Sequence, residues 1–394
     1  MFAKRTEWEL AANTIAVSLE NLRRAGTTVF DLTESNPTSC GFVFPSSEIL
    51  TPLSQLPNME YAPSARGNLK AREAIACYYA GKNISVSPDQ IFLTASTSEG
   101  YSFLFRLLAG PGERILFPCP SYPLFEFLAG LNDLHMDFYP LIYEGQWTAD
   151  FAGLKAMINT TTRAIALVNP NNPTGSFFKP GELQTLNRIC QTHRLPIIAD
   201  EVFLDYRFEK SGDALSLAKN RESLTFVLGG LSKMLGLPQM KLSWIVVNGP
   251  ADLVQEAAGR LEVIADTYLS VNTPVQNALP QWLPLRSGIQ GEIMGRIRRN
   301  YELLRRIFTD GGEGEVLRAE GGWYAVVKLP SGIDEEDFVT GLLEKYHVYV
   351  HPGYFFNFQD EPYIIVSLLP PEEIFREGLR RVWEFLSSFV KREA

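Results

Sequence analysis

Short apolar runs recur through the middle of the chain, separated by longer amphipathic stretches. Seven stand out: Ile91 to Ala95, Arg114 to Phe117, Met136 to Leu141, Ala164 to Asn169, Pro196 to Asp200, Leu224 to Gly229 and Leu242 to Val247. Each is rich in Ile, Val, Leu or Phe and ends in turn-forming or polar residues, so they read as strands of one central sheet. Between them the helical period returns, as in Ser98 to Leu108 and Pro180 to His193, the second opening on a proline suited to a first helical turn. The alternation predicts an α/β fold with a mainly parallel seven-stranded sheet flanked on both faces by helices.

The last third has a different pattern. Ile293 to Phe308 is a strongly basic amphipathic helix, Gly322 to Leu329 and Tyr363 to Leu368 have strand character, and Phe375 to Phe389 reads as a closing helix. These predict a smaller α+β domain over residues 281–394. A large domain is expected over 46–280, with segment 1–45 packing against the small one.

Composition narrows the function classes. The 394 residues are 45% hydrophobic and 21% charged, as expected for an ordered globular enzyme. A formal net charge of -9 leaves no broad basic surface for a phosphate backbone, so no nucleic-acid partner is expected. No apolar run reaches the roughly 20 residues that span a bilayer, so no membrane association is expected. Cys40, Cys77, Cys119 and Cys190 form no CxxC pair, and no signal-peptide pattern precedes them. They read as reduced, small apolar core residues of a cytoplasmic protein. His135, His193, His347 and His351 are scattered without metal-ligand spacing, so no metal is expected.

In an open parallel sheet, ligands collect beyond the carboxyl ends of the strands, which makes the residues after each run informative. Ser96, Thr97 and Ser98 follow the first run and open a helix, where backbone N–H groups and the helix dipole favour a phosphate. Taken singly, they are equally ordinary helix caps. The turn Asn169-Pro-Asn-Asn172-Pro-Thr-Gly175 follows the fourth run, and its asparagines would project into the same crevice. Ile197-Ile-Ala199 delivers Asp200 and Glu201 to the sheet edge. Gly229-Gly-Leu-Ser232-Lys233 then sets one lysine among small and apolar residues, where desolvation lowers an amine's pKa as imine formation requires. Phosphate donors, a carboxylate and a dry lysine on one edge are the parts needed to bind pyridoxal phosphate.

With these residues in place, the chain resembles the class I/II aminotransferases of the fold-type I pyridoxal-phosphate enzymes from about Leu32 onward. Five motifs occur in the family's order: Tyr61 to Gly67, Ser96-Thr97-Ser98, Pro120-Ser-Tyr122-Pro123, Asn169 to Gly175, and Ser232-Lys233 followed by Gly236-Leu-Pro238. The resemblance implies that Lys233 is the Schiff-base lysine, that Asp200 faces the pyridine nitrogen, that Asn172 meets the ring hydroxyl oxygen and that Tyr122 stacks on the ring. It also implies that Ser96, Thr97, Ser98, Ser232 and Lys241 hold the phosphate. Tyr61 would reach the phosphate of a neighbouring subunit, so a homodimer is expected. The large domain would carry the cofactor, and a small-molecule amino donor and a 2-oxo acid acceptor would be exchanged in a ping-pong cycle.

Three positions depart from the family pattern. Phe203 stands where most members have a tyrosine that donates to the ring hydroxyl oxygen. Lys241 replaces a phosphate-binding arginine, a point charge in place of a fork. Ile365 aligns with the arginine that usually binds the substrate α-carboxylate, and Arg66, Arg318 and Lys328 are the cations considered in its stead. Transamination is the leading expectation. The same cofactor chemistry also supports C–S elimination or decarboxylation, and a non-catalytic cofactor-binding regulator is a third class. A nicotinamide-binding sheet is disfavoured because no GxGxxG turn follows a strand.

Overall fold

The computed structural model describes residues 1–209, 215–311, 314–359 and 361–393. All seven apolar runs form strands: β1 (Ile91–Thr94), β2 (Arg114–Cys119), β3 (His135–Tyr143), β5 (Thr162–Val168), β6 (Ile197–Asp200), β7 (Thr225–Gly230) and β8 (Ser243–Asn248). An additional short strand, β4 (Trp147–Ala149), pairs with the end of β3 as a hairpin and extends the sheet to eight. Its three residues carry too little pattern to be read from sequence. The spatial order is β1-β8-β7-β6-β5-β2-β3-β4.

The pairs β7/β6, β6/β5, β5/β2 and β2/β3 are parallel, whereas β8 runs against both β7 and β1. Reversal of β8 matters for the site. Its first residue, Ser243, sits opposite Thr94 of β1 and Gly230 of β7, so residues just before β8 arrive at the same edge as residues just after the parallel strands. The strands β6, β7 and β8 are buried along their whole lengths, as expected of a sheet covered on both faces. Core residues divide accordingly, with Leu93, Ala199, Val227 and Trp244 toward one layer and Phe92, Ile198, Leu228 and Ile245 toward the other.

Helix Thr97–Leu108 and helix Pro180–His193 appear where the helical period indicated, the first starting one residue earlier. The basic amphipathic stretch becomes one long helix, Arg286–Gly311. Beyond it, Glu315–Val316, Tyr324–Lys328, Tyr363–Ser367 and His351–Pro352 form an antiparallel four-stranded sheet, backed by helices Glu335–Tyr346 and Glu372–Glu393. The N-terminal segment is stitched to this sheet's surroundings. Phe30–Asp31 pairs in parallel with Val348–Tyr349, and Ser367 N–H donates to Leu32 O at 2.7 Å. That stitching carries Ser35, Tyr324 and His351 over the edge of the large sheet.

The cysteines are free, and Cys40 and Cys190 are buried as expected. Cys77 is exposed and Cys119 only partly covered, because Cys77 falls on the solvent side of helix Leu69–Ala80 and Cys119 at the very end of β2. Among the described residues, no helix is long and apolar enough to cross a membrane.

Candidate active site

Past the end of β1, Ser96 adopts an extended conformation and its Oγ accepts from Glu99 N–H at 3.1 Å. Glu99 answers by accepting from Ala95 N–H at 2.7 Å, a reciprocal cap that fixes where helix Thr97–Leu108 begins. The positive end of that helix therefore opens at the sheet edge, with Ser96, Thr97 and Ser98 on the wall of a cleft of about 450 Å³.

The turn after β5 divides its three asparagines by role. Asn169 donates to Leu215 O at 2.6 Å and accepts from Phe178 N–H, and Asn171 donates to Pro120 O at 3.1 Å. Both side chains hold the backbone. Asn172 makes no side-chain hydrogen bond among the described residues; its Oδ1 is buried without a partner, and the residue lines the cleft. A buried amide left open in this way is costly unless a ligand completes it.

At the end of β6, Asp200 faces the cleft and its neighbour Glu201 faces away. Asp200 accepts from Val202 N–H at 3.1 Å and from the Tyr101 hydroxyl at 3.2 Å. Burial pushes its carboxyl up to about 6, held back by those two donors and by Lys233. Glu201 accepts from Ser216 Oγ and Leu217 N–H, each at 2.6 Å, and takes no part in the cleft.

The approach to Lys233 depends on glycine. A Cβ on Gly229 would lie 2.7 Å from the Trp244 ring, so β7 passes β8 closely enough only with glycine there. The short helix Leu231–Met234 follows and presents Ser232 and Lys233 to the cleft, with the Tyr206 hydroxyl donating to Lys233 O at 2.7 Å. Lys233 Nζ lies 4.9 Å from the centroid of Trp323 and 5.5 Å from that of Phe203. Burial brings its pKa down to about 8, and the Asp200 charge opposes the drop. Lys241 arrives from the reversed strand β8, in a left-handed conformation with φ of 50°, and Tyr122 comes from the turn after β2; both line the same cleft.

Nine of the ten residues singled out as site residues are thus brought to one cavity: Ser96, Thr97, Ser98, Tyr122, Asn172, Asp200, Ser232, Lys233 and Lys241. Tyr61 is not among them. It is 76% exposed, in a separate depression with Ser64, Ser270 and Gln276.

The three cations considered for the substrate carboxylate lie outside the cleft of their own chain. Arg66 is held by Glu262 at 2.7 Å and by Asp89 O, Lys328 pairs with Glu361 at 3.2 Å, and Arg318 lies beside Glu209 in another depression. Ile365 is fully buried with Trp147, Leu317, Val326 and Phe356, so its strand offers no cation. Sequence reasoning missed Tyr324, His351, Phe355 and Phe356 on the cleft wall, and Trp323 over Lys233. The pair Gly321-Gly322 was the available signal for Trp323. A Cβ on Gly321 would collide with Tyr206 O, and that close passage brings the next residue over the lysine.

Comparison with known proteins identifies the family. The family model for aminotransferase class I and II matches residues 53–376. The glutamate-pyruvate aminotransferase AlaA of Haemophilus influenzae is 26% identical over 375 residues, covering 93% of each chain. Tyrosine aminotransferase of Mus musculus is 27% identical, covering 82% of this chain and 72% of its own. Among solved structures, an alanine aminotransferase from Pyrococcus furiosus superposes with a TM-score of 0.90 at 25% identity, covering 98% of this chain and all of its own.

Proposed function

The chain belongs to the class I and II aminotransferase family, and from that premise we propose that Lys233, Asp200 and Asn172 carry a pyridoxal-phosphate-dependent transfer of an amino group from an amino acid or amine to a 2-oxo acid. The residues present fit the cofactor. Asn172 keeps its side-chain amide unpartnered in the cleft with an N–H able to donate, a helix start and Lys241 face the same space, and a carboxylate and an amine complete it. The observation that carries the proposal is the pairing of a dry amine at about 8 with a buried carboxylate at about 6 on one sheet edge.

Pyridoxal phosphate, when bound, supplies an aldehyde for an amine and a ring able to take up electrons. Asp200 is anionic above about 6, and an anion there holds a proton on the pyridine nitrogen. Asn172, whose side-chain amide makes no hydrogen bond among the described residues, would donate its N–H to the ring hydroxyl oxygen, and Tyr122 would cover the ring face. Ser96, Thr97, Ser98, Ser232 and Lys241, which line the cleft, would bind the phosphate through the helix dipole, hydroxyls and one charge. Lys233 Nζ, unprotonated above about 8, would be the residue to hold the cofactor and, once free, to move the proton at the donor's Cα. Trp323 and Phe203 exclude water around it.

Tyr61 is exposed in its own chain and distant from its own cleft, which supports a homodimer in which it reaches the neighbour's phosphate. The absence of paired cysteines supports a cytoplasmic location.

The test uses protein loaded with pyridoxal phosphate. A donor should shift the visible band stoichiometrically, a 2-oxo acid should reverse the shift, and borohydride should trap an adduct at position 233. Pyruvate and ammonia released without an acceptor would identify a lyase instead, and absence of both colour and adduct would defeat the assignment.

A further inference from the structure

Tyr101 lies behind the cleft rather than on its wall. It belongs to helix Thr97–Leu108, about one turn in from the Ser96 cap, and is 1% exposed. A Cβ on Gly100 would come within 2.8 Å of the Leu228 side chain of β7, so the helix settles this close to the sheet because glycine occupies that position. The approach brings the next residue to the end of β6. There the Tyr101 hydroxyl donates to Asp200 Oδ2 at 3.2 Å, while Val202 N–H donates to Oδ1 at 3.1 Å.

The ring and the hydroxyl have different surroundings. The ring packs among Phe125, Phe105 and Phe117, with centroids 5.0, 5.7 and 6.2 Å away, in the apolar layer that also holds Ile198 and Leu228. A phenylalanine would fill that space as well. The hydroxyl has Asp200 as its hydrogen-bond partner among the described residues, and a hydroxyl buried without one is costly. Burial, and then the Asp200 charge, hold it well above the usual tyrosine range, so it stays a donor across neutral pH. The other ionisable groups facing Asp200 among the described residues are Lys233, from the helix after β7, and Tyr122, from the turn after β2. Both of those line the cleft, whereas Tyr101 reaches the carboxylate from within the core of the same chain.

Resting on the aminotransferase reading, we propose that Tyr101 is a positioning residue: its hydroxyl aims the Asp200 carboxylate and keeps it ionised, so that a proton shared with the pyridine nitrogen stays on the nitrogen. A hydrogen bond to an anion favours the anion over the acid. Without that bond Asp200 is the stronger base and takes a larger share of the proton, which leaves a ring less able to take up electrons. Tyr101 acts only through Asp200, since it has no place on the cleft wall.

Tyr101→Phe keeps the ring and removes the bond. Loss of a hydrogen bond to a charged group should raise the Asp200 pKa by roughly 1 unit, from about 6 to about 7. The folded carboxylate already binds its proton more tightly than an unfolded one, so raising it further extends upward the pH range over which stability is lost. In urea unfolding of cofactor-free protein, the variant's deficit should be constant below about pH 6 and widen between about pH 6 and 7 by about 1.4 kcal/mol, the equivalent of that unit. In the Asp200→Asn background the pH dependence should vanish. Incorporation of 3-fluorotyrosine at position 101, a stronger donor of nearly the same shape, should move the Asp200 window downward instead. With 15N-labelled pyridoxal phosphate bound, Tyr101→Phe should shift the ring-nitrogen signal toward that of a neutral pyridine. For the fastest of L-alanine, L-glutamate and L-tyrosine as donor, kcat should fall about 10-fold with KM within about 2-fold.

A deficit equal at pH 5 and pH 8, a pH dependence that persists with Asp200→Asn, or an unchanged nitrogen signal together with unchanged kcat would overturn the proposal. A visible band that responds to no donor would defeat the aminotransferase reading instead, and the unfolding comparison would still decide whether Tyr101 acts on Asp200.

Discussion

The ammonium of Lys233 lies 4.9 Å from the centre of the Trp323 ring, joining the large sheet's edge to the first residue after the Gly321-Gly322 passage. The two come from β7 and from the C-terminal sheet, some ninety residues apart, and the tryptophan is fully buried. An aromatic face stabilises the charged amine by about 0.5 to 2 kcal/mol, against the desolvation that lowers its pKa to about 8.

Replacing that face shifts the balance. Trp323→Leu is expected to lower the Lys233 pKa further, by roughly 0.5 to 1 unit for a loss of about 1 kcal/mol. The pH dependence of Lys233 modification by an amine reagent, read by peptide mass spectrometry in cofactor-free protein, measures the shift. A midpoint at or above that of the unaltered protein would show that burial alone sets the amine.

Asp200 links activity to stability. Its folded pKa, about 6, lies above the value of an unfolded aspartate near 3.9. The folded state therefore binds the extra proton between those values, and stability falls as pH rises through that window and stays lower above it. Asp200→Asn removes the buried charge. It should stabilise cofactor-free protein by about 1 to 3 kcal/mol at pH 7, lose that advantage below pH 4, and reduce transfer by at least about 1000-fold. Urea unfolding at pH 4 and pH 7 with a single-turnover assay tests both halves.

Phe203 lines the cleft and would leave the ring hydroxyl oxygen without the donor a tyrosine would supply. A hydrogen bond to an anion is worth about 1.5 to 3 kcal/mol and favours the anion. Phe203→Tyr should therefore lower the pH at which the visible band of loaded protein changes, by roughly 1 to 2 units. Spectra across pH 5 to 10 decide; an unchanged or raised midpoint would place Phe203 away from that oxygen.

Tyr61 reports on assembly. Tyr61→Phe should weaken cofactor binding about 10- to 150-fold, the worth of one charge-assisted hydrogen bond to phosphate, without altering the thermal stability of cofactor-free protein. Equilibrium dialysis gives the affinity, and sedimentation gives the oligomeric state. A monomer that binds the cofactor as tightly as before would remove the intersubunit role.

The sequence by itself determined the large sheet and the parts it delivers. Runs such as Ile197–Asp200 and Thr225–Gly230 announce themselves because a strand buried on both faces must be apolar throughout, and the residues after parallel strands share an edge by topology. Lys233, Asp200 and Asn172 were legible for that reason. What occupies the other two asparagines of that turn was not, since Asn169 and Asn171 donate to Leu215 O and Pro120 O, partners far away in the chain. Only the tertiary structure brought Trp323 to Lys233, set His351 opposite Ile365, and drew Arg66, Arg318 and Lys328 away to carboxylates of their own. Strand periodicity and local turn chemistry are properties of neighbours in sequence, whereas the wall of the cleft depends on how a second sheet docks over the first, and no local pattern encodes that docking.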